Sequence, residues 1–422
     1  MRRKRKKKKN GKWFIFIIIV LIVIGFYYKN DFKNKIDIKN KVNITYYDIY
    51  GIHLNFKGNF KLDDNLSDPL FVLSNGKNEI KLNFNISKNN NNYTFYTSKY
   101  INDGINLEKL KKGNYYLLLK VKNNNKFKYI SLKNKTKYKN LTYYTVTKNN
   151  SNNKIDIKWE NDLLEFNIKQ TKLPKNVYDI TIDPGHDGKD SGMMVCKNGD
   201  AVINETCKNS TLYKESDINF DISKEVKKEL EKLGYKVILT RNNKNENIDT
   251  YGDMGSATVA NKVKSKFNFA IHNNSTNVPG GLSTSKGLEI YIANNTKLDF
   301  AKILVKNIKT YGNTNTSNKK EYKVSDGIYQ RLINNVPYYY TTREIGGIAT
   351  GAYVDGSNEK YGKNPYYNSN CTAEGYLLEL SYIDNVQNLN NILSNTSGYA
   401  KGVALSIKEY LDNWYLEIFI SF

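Results

Sequence analysis

Four ionisable side chains, far apart along the chain, have the types that metal-assisted hydrolysis needs. They are His186, Glu215, His272 and Glu379, and they include two of the three histidines in 422 residues. Two neutral imidazoles and one carboxylate can bind a hydrolytic Zn²⁺ and leave a fourth position for water. A further carboxylate, not a ligand, takes the proton of that water. The set predicts one zinc ion on His186, Glu215 and His272, with Glu379 as the catalytic acid and base.

The elements that carry these residues predict that they meet. Over residues 177–412, strand-like and helix-like segments alternate, which indicates an α/β domain with an open, mainly parallel sheet flanked by helices. His186 follows the strand "YDITID", Glu215 precedes a helix, and the strands "FNFAIH" and "GYLLEL" end at or near His272 and Glu379. Ligands of open α/β sheets bind outside the carboxyl ends of the strands. We therefore expect all four side chains at one edge of the sheet.

Each of these residues alone also has an ordinary structural explanation. A Glu before a helix interacts with the helix dipole, for example. Glu379 lies in the apolar run "YLLELSY", where an ionisable group is costly unless it is used or paired. Beside His186, the carboxylates of Asp183 and Asp187 either orient its imidazole from a second shell or cap the turn.

Several segments together resemble one enzyme family. "IDPGHDGKDSG", "KESDINFDI", "VANKVKSKFNFAIHNNS" and "YLLELSYIDN", in this order, are similar to the zinc-dependent N-acetylmuramoyl-L-alanine amidases of the amidase 3 type over about residues 178–412. The resemblance implies cleavage of the peptidoglycan amide between the lactyl group of N-acetylmuramic acid and the L-alanine of the stem peptide. Asp187 stands where the family usually carries Gly. Another wall-directed zinc hydrolase (a peptidase or deacetylase) and an inactive wall-binding protein on the same fold remain the alternatives.

The sequence before the predicted α/β domain has a different pattern of apolar and polar residues. Over residues 43–170, short runs such as "KLNFNIS" and "YTFYTS" alternate with period two, which predicts a smaller all-β, sandwich-like domain. His53 lies there without an acidic or cysteine partner at metal-ligand spacing, so we interpret it as a structural or surface residue. Residues 29–42 are assigned to a linker and 413–422 to a tail. The weakly patterned segment 311–374 is interpreted as an insertion that shapes a binding face.

The amino-terminal residues predict a membrane anchor. Residues 1–12 are densely basic, and residues 13–28 carry no charge. A helix over 13–28 would be about 24 Å long at about 1.5 Å per residue. Because no small-residue cleavage site follows, we favour an uncleaved, single-pass transmembrane helix over a cleaved signal peptide. The positive-inside rule keeps the basic segment in the cytoplasm and places the catalytic domain outside, facing the cell wall.

The charge and the cysteines fit an exported protein. The net charge of +24 would attract anionic wall polymers or lipid head groups, although dispersed lysines equally serve as a solubilising surface. The compartment and the lack of a recognisable motif argue against a nucleic-acid partner. Cys196 and Cys207 flank a turn-containing segment, and a disulfide between them is permitted outside the membrane. The third cysteine, Cys371, leaves that pairing open.

Overall fold

The structure is a computed structural model that contains two domains. It describes residues 32–137, 140–147, 151–249, 252, 254–256, 258–276, 283–293, 296–330, 332–333, 336–337 and 370–416. Within these ranges no helix is both long enough and apolar enough to span a bilayer. The predicted transmembrane helix and most of the predicted insertion lie outside the described residues.

The amino-terminal, accessory domain consists of strands. Their bounds are β1 (Ile36–Tyr50), β2 (His53–Lys61), β3 (Leu66–Ser74), β4 (Glu79–Leu82), β5 (Asn85–Asn89), β6 (Asn92–Tyr96), β7 (Ile105–Asn106), β8 (Gly113–Asn123), β9 (Lys126–Asn134), β10 (Asn140–Tyr144), β11 (Asn152–Glu160) and β12 (Leu163–Thr171). One short 3₁₀ helix interrupts them at Leu107–Lys109. The predicted all-β domain is therefore confirmed.

Hydrogen bonds connect all the strands of the accessory domain to one another. With a strand from the second domain, β23 (Cys371–Thr372), they form a 13-stranded network whose main path is β10-β11-β12-β8-β9-β1-β2-β6-β5. Strand β1 begins at Ile36, inside the segment 29–42, which corrects the predicted linker. The reason is that Ile36, Val42 and Ile44 are buried, although the Lys and Asn residues between them resemble a linker.

The second domain, which the sequence predicts to be catalytic and which is called the catalytic domain below, mixes strands and helices. Its strands are β13 (Ile180–Pro184), β14 (Met194–Cys196), β15 (Leu212–Lys214), β16 (Val237–Leu239), β17 (Phe267–Asn274), β18 (Glu289–Ile292), β19 (Lys323–Ser325), β20 (Ile328–Tyr329), β21 (Leu332–Ile333), β22 (Val336–Pro337), β23 and β24 (Glu374–Tyr382). Its helices are α1 (Glu215–Lys232), α2 (Val259–Lys262), α3 (Asp299–Gly312), α4 (Val386–Ser394) and α5 (Thr396–Leu416). Helix α5 extends past the predicted domain end at residue 412.

Seven of these strands form the catalytic sheet, in the order β16-β13-β17-β24-β18-β20-β19. Strands β16, β13, β17 and β24 run parallel, as predicted, whereas β18 runs antiparallel to β24. Helix α1 carries an apolar stripe at helical spacing, and its residues Ile222, Val226 and Leu230 are buried in the core shared with β13 and β17. This packing fixes the start of α1 against the carboxyl ends of the parallel strands.

The accessory domain docks on the opposite, amino-terminal edge of the catalytic sheet. Its strand β1 pairs in parallel with β23, which leads directly into β24. At the first residue of β24, the Glu374 carboxylate accepts a buried hydrogen bond of 2.9 Å from the Asn102 amide. Just before β13, Asp179 accepts a bond of 3.0 Å from the backbone N–H of Thr147. The two domains are therefore joined through backbone pairing and buried polar contacts.

The docking surface predicts a pH-dependent stability. Burial raises the pKa of Glu374 from its ordinary 4.5 to about 7, and hydrogen bonds from Tyr376 and Asn102 only partly oppose this. Between these two values the folded protein holds a proton that the unfolded chain has released, so the free energy of unfolding falls as the pH rises. Between about pH 5 and about pH 8, the free energy of unfolding of the wild type should fall by an amount on the order of 3 kcal/mol. Denaturant unfolding should show that this fall is absent in Glu374→Gln. An identical pH slope in Glu374→Gln would contradict this, and exposed Glu160→Gln is the control.

Candidate active site

The three predicted zinc ligands lie together at the carboxyl edge of the sheet. His186 follows β13, His272 lies near the end of β17, and Glu215 is the first residue of α1. Glu215 Oε1 is 3.1 Å from His186 Nε2 and 3.3 Å from His272 Nδ1. The candidate ligand atoms all lie within 4.8 Å of one another. The three predicted ligands therefore meet, as expected.

These distances suit a tetrahedral zinc ion. Zn²⁺ binds imidazole nitrogen and carboxylate oxygen at about 2.0–2.2 Å, so neighbouring ligand atoms in a tetrahedron are separated by roughly 3.3 Å. The two contacts of Glu215 Oε1 are close to this value. Two nitrogens and one oxygen also leave the open position that a catalytic site requires. The three residues therefore fit the ion in donor chemistry, and the two contacts of Glu215 also fit it in spacing.

Asp190 orients the first histidine. Its Oδ2 lies 2.8 Å from His186 Nδ1, which leaves Nε2 to face Glu215 and the metal position. His186 itself has a left-handed backbone, with φ of 62°, so the turn after β13 aims its ring. Asp190 is not among the residues predicted from the sequence, although its position four residues after His186 in "HDGKDSG" is a signal for this contact.

Asp183 and Asp187, the two predicted second-shell candidates, bond to other groups. Asp183 accepts a hydrogen bond of 2.6 Å from the Thr240 hydroxyl. Asp187 accepts bonds from the backbone N–H groups of Lys189, Asp190 and Ile248. Asp187 therefore caps the turn that presents His186 and ties it to a second loop, which gives the residue that departs from the family pattern a structural role.

The charges of the cluster complement one another. Burial alone would lower the pKa of His186, but its contacts with Glu215 and Asp190 raise it to about 9. The pKa of His272 is also raised against the effect of burial, mainly by its contact with Glu215. Burial would raise the pKa of Glu215, yet the two imidazoles hold it far below its usual range. Glu215 is therefore an anion at neutral pH, as a metal ligand must be.

Glu379 lies beside the ligand cluster on the central strand. In the sheet register it is paired with His272 on β17 and with Glu289 on β18, and neighbouring strands lie about 4.8 Å apart. Burial, with smaller contributions from the Glu215 and Glu289 carboxylates, raises the pKa of Glu379 to about 7, against the opposing charge of His272. Its Oε2 is enclosed and has no hydrogen-bond partner among the residues that the structure describes. A carboxyl group with these properties can both accept and donate a proton near neutral pH.

A disulfide-bonded hairpin leads into Glu215, one of the predicted ligands. Strands β14 and β15 pair antiparallel, and a disulfide joins Cys196, at the end of β14, to Cys207 in the loop between the strands, which settles the pairing that the sequence left open. At its base, the backbone N–H of Met193 donates to Glu215 Oε2 at 3.1 Å.

Buried Arg241, which was assigned no role from the sequence, donates to the carbonyl oxygens of Pro184 and Ser216. Arg241 therefore braces the end of β13 against the first turn of α1.

Gly192 provides a direct test of how closely the chain packs on the ligands. It has a φ of 60°, and an added Cβ would lie 2.6 Å from His186 Cδ2 and 2.7 Å from Glu215 Oε2. Gly192→Ala should therefore displace two of the predicted ligands. Zinc binding, measured by chelator competition, should weaken by roughly 10- to 100-fold, as it does when a partner that orients a ligand is lost. Gly234→Ala is the matched control, because Gly234 also has a positive φ, of 90°, but open space around its Cβ position. Equal zinc affinities in the two variants would count against the packing argument.

Comparison with known proteins places the chain in a family. The family model described as N-acetylmuramoyl-L-alanine amidase matches residues 180–409, which is more than half of the chain. Similar solved structures include the catalytic domain of CwlV, an N-acetylmuramoyl-L-alanine amidase from Bacillus (Paenibacillus) polymyxa var. colistinus (20% identity, 56% of this chain, 99% of that chain, TM-score 0.36). The N-acetylmuramoyl-L-alanine amidase from Clostridium difficile 630 has the same identity and coverage of this chain, with 98% of its own length covered and a TM-score of 0.37.

Cwp6 from Clostridium difficile is also similar, at 20% identity and a TM-score of 0.37. The match covers 55% of this chain and 29% of Cwp6. The search of curated proteins found no match. Because the family model spans more than half of the sequence and includes the whole ligand cluster, the protein belongs to the N-acetylmuramoyl-L-alanine amidase family.

Proposed function

We propose that this protein is a zinc-dependent peptidoglycan amidase, which cleaves the bond between the N-acetylmuramic acid lactyl group and the L-alanine of the stem peptide. The observation that carries the proposal is the joint position of His186, Glu215 and His272 within 4.8 Å, with Glu379 as the register neighbour of His272. Membership of the amidase family supports the choice of substrate.

The residues of the site divide the chemistry between them. Bound Zn²⁺ would supply Lewis acidity, which polarises the amide carbonyl and lowers the pKa of water. His186, Glu215 and His272 would hold and orient the ion, and Asp190 fixes the His186 ring through Nδ1. Glu379 accepts the proton of the attacking water and returns it to the nitrogen of the departing L-alanine. Its raised pKa, about 7, suits both directions of this transfer.

Digestion of purified peptidoglycan distinguishes this reaction from the alternatives. An amidase releases intact stem peptides that begin with a free L-alanine, which mass spectrometry identifies. A wall peptidase would cut within the stem, a deacetylase would release acetate, and an inactive wall-binding protein would release nothing. Peptides cut within the stem, released acetate, or no release at all from a zinc-loaded preparation would overturn the proposed reaction.

For location, we propose that residues 13–28 anchor the protein in the membrane and that the catalytic domain faces the wall. Strand β1 begins at Ile36, shortly after this segment, and its 15 residues span roughly 45 Å at about 3.3 Å per residue. Its far end pairs with β23, at the edge of the catalytic sheet opposite to Glu379. This arrangement supports an active site directed away from the membrane.

Two further observations support an extracytoplasmic location. The Cys196–Cys207 disulfide suits an oxidising compartment, and the net charge of +24 favours contact with anionic wall polymers. The full chain should sediment with membranes, and deletion of residues 1–28 should release it. Recovery of the intact chain in the soluble fraction would contradict the anchor.

A further inference from the structure

We infer that Asn219 is a positioning residue that couples all three zinc ligands, an inference that rests on the zinc site of the proposed function. Asn219 is fully buried on α1, one helical turn after Glu215. Its Nδ2 donates to the Gly185 carbonyl oxygen at 3.1 Å and to Glu215 Oε1 at 3.3 Å. Its Oδ1 accepts a hydrogen bond of 2.8 Å from the side-chain amide of Asn273.

These contacts reach every ligand of the cluster. Gly185 immediately precedes His186, and Asn273 immediately follows His272, so the Asn219 amide contacts one ligand and the chain neighbours of the other two. The three partners lie on different elements, at the end of β13, on α1 and on β17. A single buried side chain therefore sets the spacing of three elements that are remote in sequence.

The chemistry of the contacts requires an amide at position 219. The Gly185 carbonyl and the Glu215 carboxylate are both acceptors, so they need the two hydrogens of an NH₂ group. The remaining oxygen then faces the donor NH₂ of Asn273. An Asp of the same shape would offer no hydrogen and would place a negative charge beside Glu215, and an Ala would leave all three partners without their bond.

The Glu215 carboxylate is the centre of this network. Besides Asn219, it accepts hydrogen bonds from the backbone N–H of Asn273 at 3.3 Å and from that of Met193 at 3.1 Å. The same network thus joins Glu215 to the segments that carry His186 and His272. Outer-shell partners orient metal ligands and tune their affinity for the metal. Loss of the Asn219 amide should therefore disturb all three ligands.

Burial on this face of α1 does not by itself bring a side chain into hydrogen bonds with the predicted ligands, as Ser223 shows. It lies one turn beyond Asn219 and is also fully buried, but its hydroxyl has no hydrogen-bond partner among the described residues. Ser223→Ala is therefore a control with matched helix, face and burial. It separates a general effect of altering the core of α1 from a specific effect on the zinc ligands.

The test measures zinc affinity of the full chain in detergent by competition with a chromophoric chelator, for the wild type and four variants. Asn219→Asp and Asn219→Ala should bind zinc about 10- to 100-fold more weakly, Asn273→Ala should lose less, and Ser223→Ala should match the wild type. The absorption spectrum of the Co²⁺-loaded protein should also change in the Asn219 variants, which a role in folding alone would not produce. Thermal unfolding of the metal-free proteins establishes that each variant is folded.

Two results would overturn the inference. One is a folded Asn219 variant whose zinc affinity and Co²⁺ spectrum equal those of the wild type. If the Asn219 variants do not fold, the milder Asn273→Ala decides, and an unchanged zinc affinity in that variant is the second. Failure of the wild type itself to bind zinc would instead overturn the proposed zinc site, so the two claims fail in different measurements.

Discussion

Replacing Glu379 with Gln is expected to lower the rate of peptidoglycan cleavage by about 10²- to 10⁴-fold while bound zinc is retained. The substitution keeps the shape of the side chain but removes the group that accepts the water proton. Glu379 is not in the ligand cluster formed by His186, Glu215 and His272, so metal binding should survive. Release of stem peptides and zinc content per chain measure the two effects.

Glu374→Gln is the matched control for this prediction. It is the same chemical change on the same strand, β24, but at the end that contacts the accessory domain. It should leave peptide release close to that of the wild type. If Glu379→Gln released peptides as fast as Glu374→Gln, the assignment of Glu379 as acid and base would be wrong.

His272→Ala is expected to abolish both zinc binding and cleavage. The change leaves one imidazole and one carboxylate, whereas catalytic zinc sites use three protein ligands. Zinc affinity should therefore fall by more than the roughly 10- to 100-fold cost of losing an outer-shell partner. It also leaves Glu215 without one of the two imidazoles that hold its pKa low, which weakens the remaining site.

The third histidine of the chain provides the control. His53 lies on β2 of the accessory domain, outside the ligand cluster, and is buried. His53→Gln should retain the zinc content of the wild type, even if its stability falls. Normal zinc content in His272→Ala, or equal loss in both variants, would contradict the ligand assignment.

The ligands could be predicted from sequence because sheet topology constrains them strongly. Parallel strands bring their carboxyl ends to one edge, so the positions of His186 and His272 at strand ends implied their meeting. The partners that orient them were harder to predict. Asn219 and Arg241 both donate to backbone carbonyls, which every residue carries, and nothing in the sequence indicates which carbonyl a buried side chain will reach.

The limits of the fold prediction have a similar physical origin. Alternation of apolar and polar residues identified the strands of the accessory domain, but strand order depends on contacts between remote segments. The parallel pairing of β1 with β23 joins residues about 320 positions apart and has no local signal. The reversed direction of β18 is likewise set by its pairing with β24, not by its own sequence.

The central claim is that zinc at the His186, Glu215 and His272 site drives cleavage of the muramoyl–L-alanine amide. Its most direct test adds Zn²⁺ stepwise to chelator-stripped protein and counts the new L-alanine amino termini released from purified peptidoglycan. We expect no release without metal, then a linear rise that ends at one zinc per chain, and no rise in His272→Ala. Full release by the stripped protein, or a rise in wild type and His272→Ala alike, would contradict it.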